Sequence, residues 1–165
     1  MEIVNKKFTL QRDFNASKQR VFDAFATADA LARWWGPVEA PIDVIKLDFR
    51  PNGIFHYKMK GNQLNYGIFK YLEIDEPNGI TWINSFANEK GEIIKPPFEG
   101  LDIPKEILNK MTLEERNGMT RLTITAEPLN ATENEIQTFY SITEGMKKGF
   151  GGTLNQLERY LNEEM

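Results

Sequence analysis

His56 is the only histidine of this 165-residue chain, and the chain contains no cysteine. Those two facts narrow the chemistry. Without Cys there is no thiolate nucleophile, no disulfide framework and no Cys-based zinc or iron–sulfur site. A single His leaves no His-cluster metal site and argues against a Ser-His-Asp triad. His56 sits in "IFHYKMK", where strand parity groups it with Lys58 and Lys60 and away from Phe55, Tyr57 and Met59. It is expected to face solvent. Glu73, Asp75 and Glu76 precede Pro77-Asn78-Gly79 and read as a solvated turn, not as paired catalytic carboxylates. "KKGFGG" lacks the Walker spacing and does not follow a strand, so it is not a phosphate loop. No catalytic residue, metal ligand or cofactor motif is therefore assigned.

What remains is aromatic. "FATADALARWWGP" places Trp34 and Trp35 side by side ahead of a Gly-Pro break. Side chains of this size bury ~150–250 Å² each and mostly serve stability. Two roles stay open for them: stacking on a ligand at a cavity mouth, or seating the helices that carry them. The reading adopted gives one Trp to each role. A polar anchor is offered by Arg12, which shares a strand face with Leu10 and Phe14. A cation facing inward needs a partner, and Glu144, beside the apolar stripe of the last helix, is the candidate. A structural ion pair, or an outward Arg12, is the more ordinary outcome.

The elements that must position these residues follow in order. Ile3 to Phe14 alternates polar and apolar residues and reads as a strand. Asn15 and Ser17 can cap a helix, and Thr27 and Asp29 lie where one short helix stops and a second begins. Pro37 ends the helical region. Six strands then follow. "DVIKLDF" carries Ile45, Leu47 and Phe49 on one side; after it come "IFHYKMK", "NYGIFKYLEI", "ITWINSFA", "EILNKMTLEER" and "TRLTITAEP". The short connections, Asn117-Gly118 most clearly, imply an antiparallel meander. The irregular stretch from Asn88 to Pro104 has the length of a binding loop or lid. From this meander Phe49, Tyr57, Phe69, Tyr71 and Trp82 are the candidate cavity residues.

A long helix is expected over roughly Thr132–Asn162, with Thr132 and Glu135 spaced as a capping box. Its apolar stripe includes Phe139, Tyr140, Met146, Phe150, Leu154, Leu157 and Leu161. Of these, Tyr140, Met146 and Phe150 join the candidate cavity lining. Gly145, Gly149, Gly151 and Gly152 are unexpected there, since each costs on the order of 1 kcal/mol relative to Ala. Two explanations stand: a break between two helices, or close approach to the sheet or the first helices, where a Cβ would clash.

The sum is an α+β chain: one strand, two short helices, six more antiparallel strands and a long C-terminal helix. A seven-stranded curved sheet must bury its concave face, and the long helix is the element available to cover it. The whole of 1–165 reads as a single domain. The N-terminus lacks a continuous apolar stretch and is not expected to be a signal peptide. No run approaches the ~20 apolar residues of a membrane span. With 20 Lys and Arg against 24 Asp and Glu, scattered, there is no footprint for nucleic acid. The missing cysteines fit a cytoplasmic setting.

"RDFNASKQRVFDAFATADALARWWGP", "SFANEKGEI", "IPKEILNKMTLEERNGMTRLTIT" and "EGMKKGFGGTLNQLERYL" together resemble the Hsp90-ATPase-activator-homologue-like family. This is a branch of the START-like (SRPBCC, Bet v 1-type) superfamily. The resemblance spans nearly the whole chain. Phe150 stands where the family often has Trp. The resemblance implies a helix-grip fold with a mainly hydrophobic cavity between the sheet and the C-terminal helix. It further implies binding of a lipid-like or aromatic small molecule. An enzyme of cyclase or hydrolase type acting on such a ligand is the alternative, and it would need polar groups converging inside. A third reading, interaction with an Hsp90-type chaperone, is not carried over on the family's name. A homodimer is compatible with the sequence, though no motif signals one.

Overall fold

The computed structural model describes residues 8–36 and 38–163. The order is β1 (Phe8–Phe14), α1 (Lys18–Asp23), α2 (Ala28–Trp34), β2 (Ile42–Leu47), β3 (Ile54–Lys60), β4 (Leu64–Asp75) and β5 (Gly79–Ala87). It continues with β6 (Ile93–Ile94), β7 (Glu106–Arg116), β8 (Met119–Leu129), α3 (Glu133–Ser141) and α4 (Thr143–Glu163). The predicted start of the first strand at Ile3, and the stop at Pro37, lie outside the described residues.

All strand pairs are antiparallel, in the spatial order β1-β8-β7-β5-β4-β3-β2. This is the expected meander plus one strand. The extra piece is β6, two residues within the Asn88–Pro104 stretch that pair with Phe86 and Ala87 of β5. The hairpin at Asn117-Gly118 forms as its sequence demands, with both residues at positive φ.

The concave face is covered by α4. Leu154, Leu157 and Leu161 join Phe55, Phe69, Ile80, Met111, Leu122 and Ile124 in the main core. The two short helices close one end. Ser17 caps α1 by accepting from the Arg20 amide, and Thr27 caps α2 by accepting from the Ala30 amide. Both are tied to α4: Arg20 donates to the Leu161 carbonyl, and Gln156 donates to the Gly36 carbonyl.

Three expectations need correction. The C-terminal helix is not continuous. Its capping box at Thr132 and Glu135 forms, but the helix stops at Ile142, whose φ and ψ of −108° and 11° leave the helical region. The break falls ahead of the glycines, so they do not cause it. Close approach does not explain them either. A Cβ added at Gly145, Gly149, Gly151 or Gly152 meets no atom within 4 Å beyond its two flanking residues and the helix's own backbone. The third correction is to β2. A register shift between Val44 and Lys46 puts Ile45 outside, 46% exposed, while Ile42 is buried and Val44, Leu47 and Phe49 pack on the core. A bulge inserts one residue and so reverses the parity on which the Ile45 expectation rested.

The β2–β3 turn holds one position that only glycine fills. A Cβ at Gly53 would lie 2.0 Å from the Asp48 carbonyl oxygen, a backbone atom that cannot step aside. Gly53→Ala is expected to cost about 3 kcal/mol, the upper part of the range for overpacking. Chemical denaturation would register this as a lower midpoint at unchanged slope.

Candidate functional site

The site begins where two strands part. β5 pairs with β7 from Gly79 to Asn84, and after that its edge is taken by β6. The chain from Asn88 to Pro104 runs out and returns at this point, so β5 and β7 diverge beyond Asn84. A cleft of about 310 Å³ opens there, within the size of small-molecule sites. Asn84, Ser85 and Phe86 form its β5 side, and Lys105 and Ile107 its β7 side. Pro96, Ile103 and Pro104 of the connecting loop roof it. Gly149, Phe150 and Thr153 of α4 close the other wall, and Trp35, Gly36, Tyr57, Met59 and Gly67 the remaining one.

Trp35 is the hub of the wall. Its ring meets Phe69 at 5.1 Å, Phe150 at 5.7 Å and Tyr57 at 6.4 Å between centroids, each edge-to-face. The indole N–H also donates to the Tyr57 oxygen. The tip of the Tyr57 ring lies over Gly67, where a Cβ would sit 2.3 Å from the phenol carbon. Gly67 thus exists to let Tyr57 lie flat across β4.

Burial pushes the Tyr57 phenol up to about 12, outweighing the indole hydrogen bond that favours the phenolate. Tyr71 is raised further by the same cause, with Tyr57 nearby adding to it. Because the folded state holds these protons more tightly than the unfolded chain, stability is full below pH 10. It falls as pH rises from about 10 to 12. The Tyr57 share is about 1.4 kcal/mol per pH unit. Tyr57→Phe is expected to remove that share and leave the part of the Tyr71 shift that comes from burial, which urea unfolding across this window would measure.

The predicted lining residues divide. Trp35, Tyr57 and Phe150 come together at the cleft. Trp34 does not reach it. Fully buried, it donates from Nε1 to the Ala24 carbonyl at 2.8 Å and packs on Phe25, so it locks α2 to α1. Phe49, Phe69, Tyr71 and Trp82 are close-packed beneath: Phe49 lies between Phe22 and Tyr71, and Phe69 stacks on Trp82 at 4.9 Å. Tyr140 and Met146 belong to a second cluster with Phe8, Ala126 and Phe139, where α3 lies on β1 and β8. The break at Ile142 sends them there.

The polar candidates also separate. Arg12 faces α4 as its parity required, but it donates to Asn155 and to the Gly151 carbonyl, while Glu144 is exposed. The proposed ion pair does not form. His56 is on the outer face, with Tyr66, yet only 4% exposed. The Asn88–Pro104 stretch folds over it, and its Nε2 lies 3.0 Å from the Asn88 carbonyl oxygen. Parity gave the face correctly, and a loop covered it. Among the described residues, no group of His, Asp or Glu is placed to hold a metal ion, and no helix is long and apolar enough to cross a membrane.

Asn84, Phe86 and Lys105 escaped sequence reasoning, and Pro96 and Ile103 were anticipated only as part of the Asn88–Pro104 loop. Their signal was the polar, Pro-containing insertion between two strands that otherwise pair directly.

This architecture is shared. A protein from Staphylococcus epidermidis, solved by NMR in solution, aligns over 100% of this chain and 96% of its own at 28% identity and a TM-score of 0.76. One from Arthrobacter aurescens aligns over 94% and 85% at 25% identity and 0.77. The crystal structure of Ara h 8.0201, at 13% identity, covers 96% and 98% with a TM-score of 0.64 and shares the fold alone. No curated protein matches in sequence. The family model for Activator of Hsp90 ATPase homolog 1-like proteins matches residues 15–162, and the chain belongs to that family.

Proposed function

We propose that the protein binds a hydrophobic small molecule in the cleft between the diverging ends of β5 and β7 and the face of α4. The observation that carries this reading is the cleft itself: a volume of about 310 Å³, walled by Trp35, Tyr57, Met59, Phe86, Ile107 and Phe150. An apolar space of this size beside an otherwise filled core is the default binding site.

The chemistry of the wall favours binding over catalysis. Its ionisable groups are Tyr57, kept protonated by burial, and Lys105 at the exposed edge. General acid–base work needs two groups poised near the working pH and in reach of one another. A carrier or sequestering role needs only the apolar wall. Because cysteine is absent, a reducing compartment such as the cytoplasm suits the chain.

Native mass spectrometry of the freshly purified protein, followed by denaturing extraction, tests this. The expected result is one equivalent of an apolar compound, lost when Phe86→Asp places a charge in the cleft. A bare mass, together with no uptake of added naphthol by the wild type, would overturn the reading.

A further inference from the structure

The cleft wall is mainly apolar, with Tyr57, Asn84, Ser85, Lys105 and Thr153 as its polar side chains, and Asn84 says most about its ligand. Asn84 is the last residue of β5 paired with β7, opposite Ile107, and it points to the concave side with Trp82 and Phe86. Its Oδ1 is buried and has no hydrogen-bond partner. Trp82, two residues earlier on the same face, has an Nε1 that is likewise buried and without a partner. Ser85 Oγ is a third such atom, but it leaves the strand on the opposite face and cannot serve the same group. Buried polar groups are almost always paired, and leaving one unpaired costs stability. A carboxamide on the last β5 residue paired with β7, in a residue that lines the cleft, is therefore placed for a partner from outside the chain.

We propose that the ligand carries a hydrogen-bond donor, a hydroxyl in the simplest case, which it gives to Asn84 Oδ1 while its apolar body lies against Trp35, Tyr57 and Phe150. The inference rests on the cleft being the binding site. An apolar wall alone ranks ligands by hydrophobicity, so it prefers the hydrocarbon to its alcohol. A site with an unpaired buried acceptor reverses that order, because the hydrocarbon strips water from the carboxamide and returns nothing. The recognised class is thus hydroxylated hydrophobic molecules, such as phenols, sterol-like alcohols or long-chain alcohols, and not plain hydrocarbons. Asn84 acts as a specificity residue.

Three probes separate the terms: naphthol, which donates and accepts; its methyl ether, which only accepts; and naphthalene, which does neither. Calorimetric or NMR titration of the wild type is expected to show naphthol bound roughly tenfold or more tightly than both others, as one satisfied buried hydrogen bond implies. In Asn84→Leu the order should invert, with naphthalene bound at least as well as naphthol. The thermal midpoint of the unliganded variant should not fall, since the substitution removes an unpaired polar atom. Equal binding of all three probes by the wild type would overturn this inference and leave the hydrophobic-ligand reading intact. Tighter binding of naphthol and the ether alike would also overturn it, because the site would then supply a donor. Failure of all three to bind would remove both.

Discussion

Trp34→Ala is expected to lower the unfolding free energy by about 3–5 kcal/mol, the cost of truncating a fully buried Trp. Two losses combine. The ring's contacts with Phe25 and Trp35 disappear from the joint between α1 and α2. The Ala24 carbonyl also loses its indole donor in a site without water access. Denaturant unfolding measures the loss. A marginal domain could unfold altogether, so Trp34→Phe supplies a milder version that keeps the ring and drops the hydrogen bond. The neighbouring Trp35 gives the contrast. Trp35→Phe should cost less stability but weaken naphthol binding, because Trp35 is the wall residue that touches both Tyr57 and Phe150. Equal effects of the two substitutions on stability and on binding would contradict the division of labour within the Trp pair.

The second large effect runs the other way. Gly145, Gly149, Gly151 and Gly152 all lie inside α4 with open space where a Cβ would stand. Gly→Ala in a helix gains up to about 1 kcal/mol per site through propensity and reduced freedom of the unfolded chain. The fourfold Ala variant is expected to be more stable by about 3 kcal/mol, a rise on the order of 6–12 °C in midpoint for a chain of this size. A lower midpoint would mean that something does crowd these positions. Gly149 has a reason to be small, since it lines the cleft. Nothing in the structure explains the other three.

The fold was largely legible because its signals are local. Alternation located the strands, Asn117-Gly118 fixed a hairpin, and Ser17, Thr27 and the Thr132–Glu135 pair marked helix starts. The failures are places where a local period met a non-local event. Ile45 was misplaced because one inserted residue flips a strand's faces. His56 was put in solvent because parity names a face but not what lies over it, and the covering Asn88 segment is distant in sequence. The α3–α4 break at Ile142 leaves the apolar stripe in register on both sides, so the stripe looks continuous although Phe139 and Leu154 enter different clusters.

The site was less legible than the fold. Large aromatics on the concave face are needed both by a filled core and by a cavity wall, and sequence cannot tell which is which. Phe69 and Trp82 show the difficulty, since they stack on each other and fill the space a ligand would need. Where the opening lies depends on the divergence of β5 and β7 past Asn84. That divergence is set by a 17-residue connection, Asn88 to Pro104, whose sequence has no period to read.

The most direct test of the central claim is an amide and indole NMR titration of the wild-type protein with naphthol. Saturable shifts are expected at one equivalent, at the Trp35 indole and at the amides that line the cleft, Gly67, Asn84, Phe86, Lys105, Gly149 and Phe150, with the Trp34 indole unmoved. Shifts that never saturate, or that centre on the exposed Ile93, Phe98 and Leu101 of the outer loop, would contradict it.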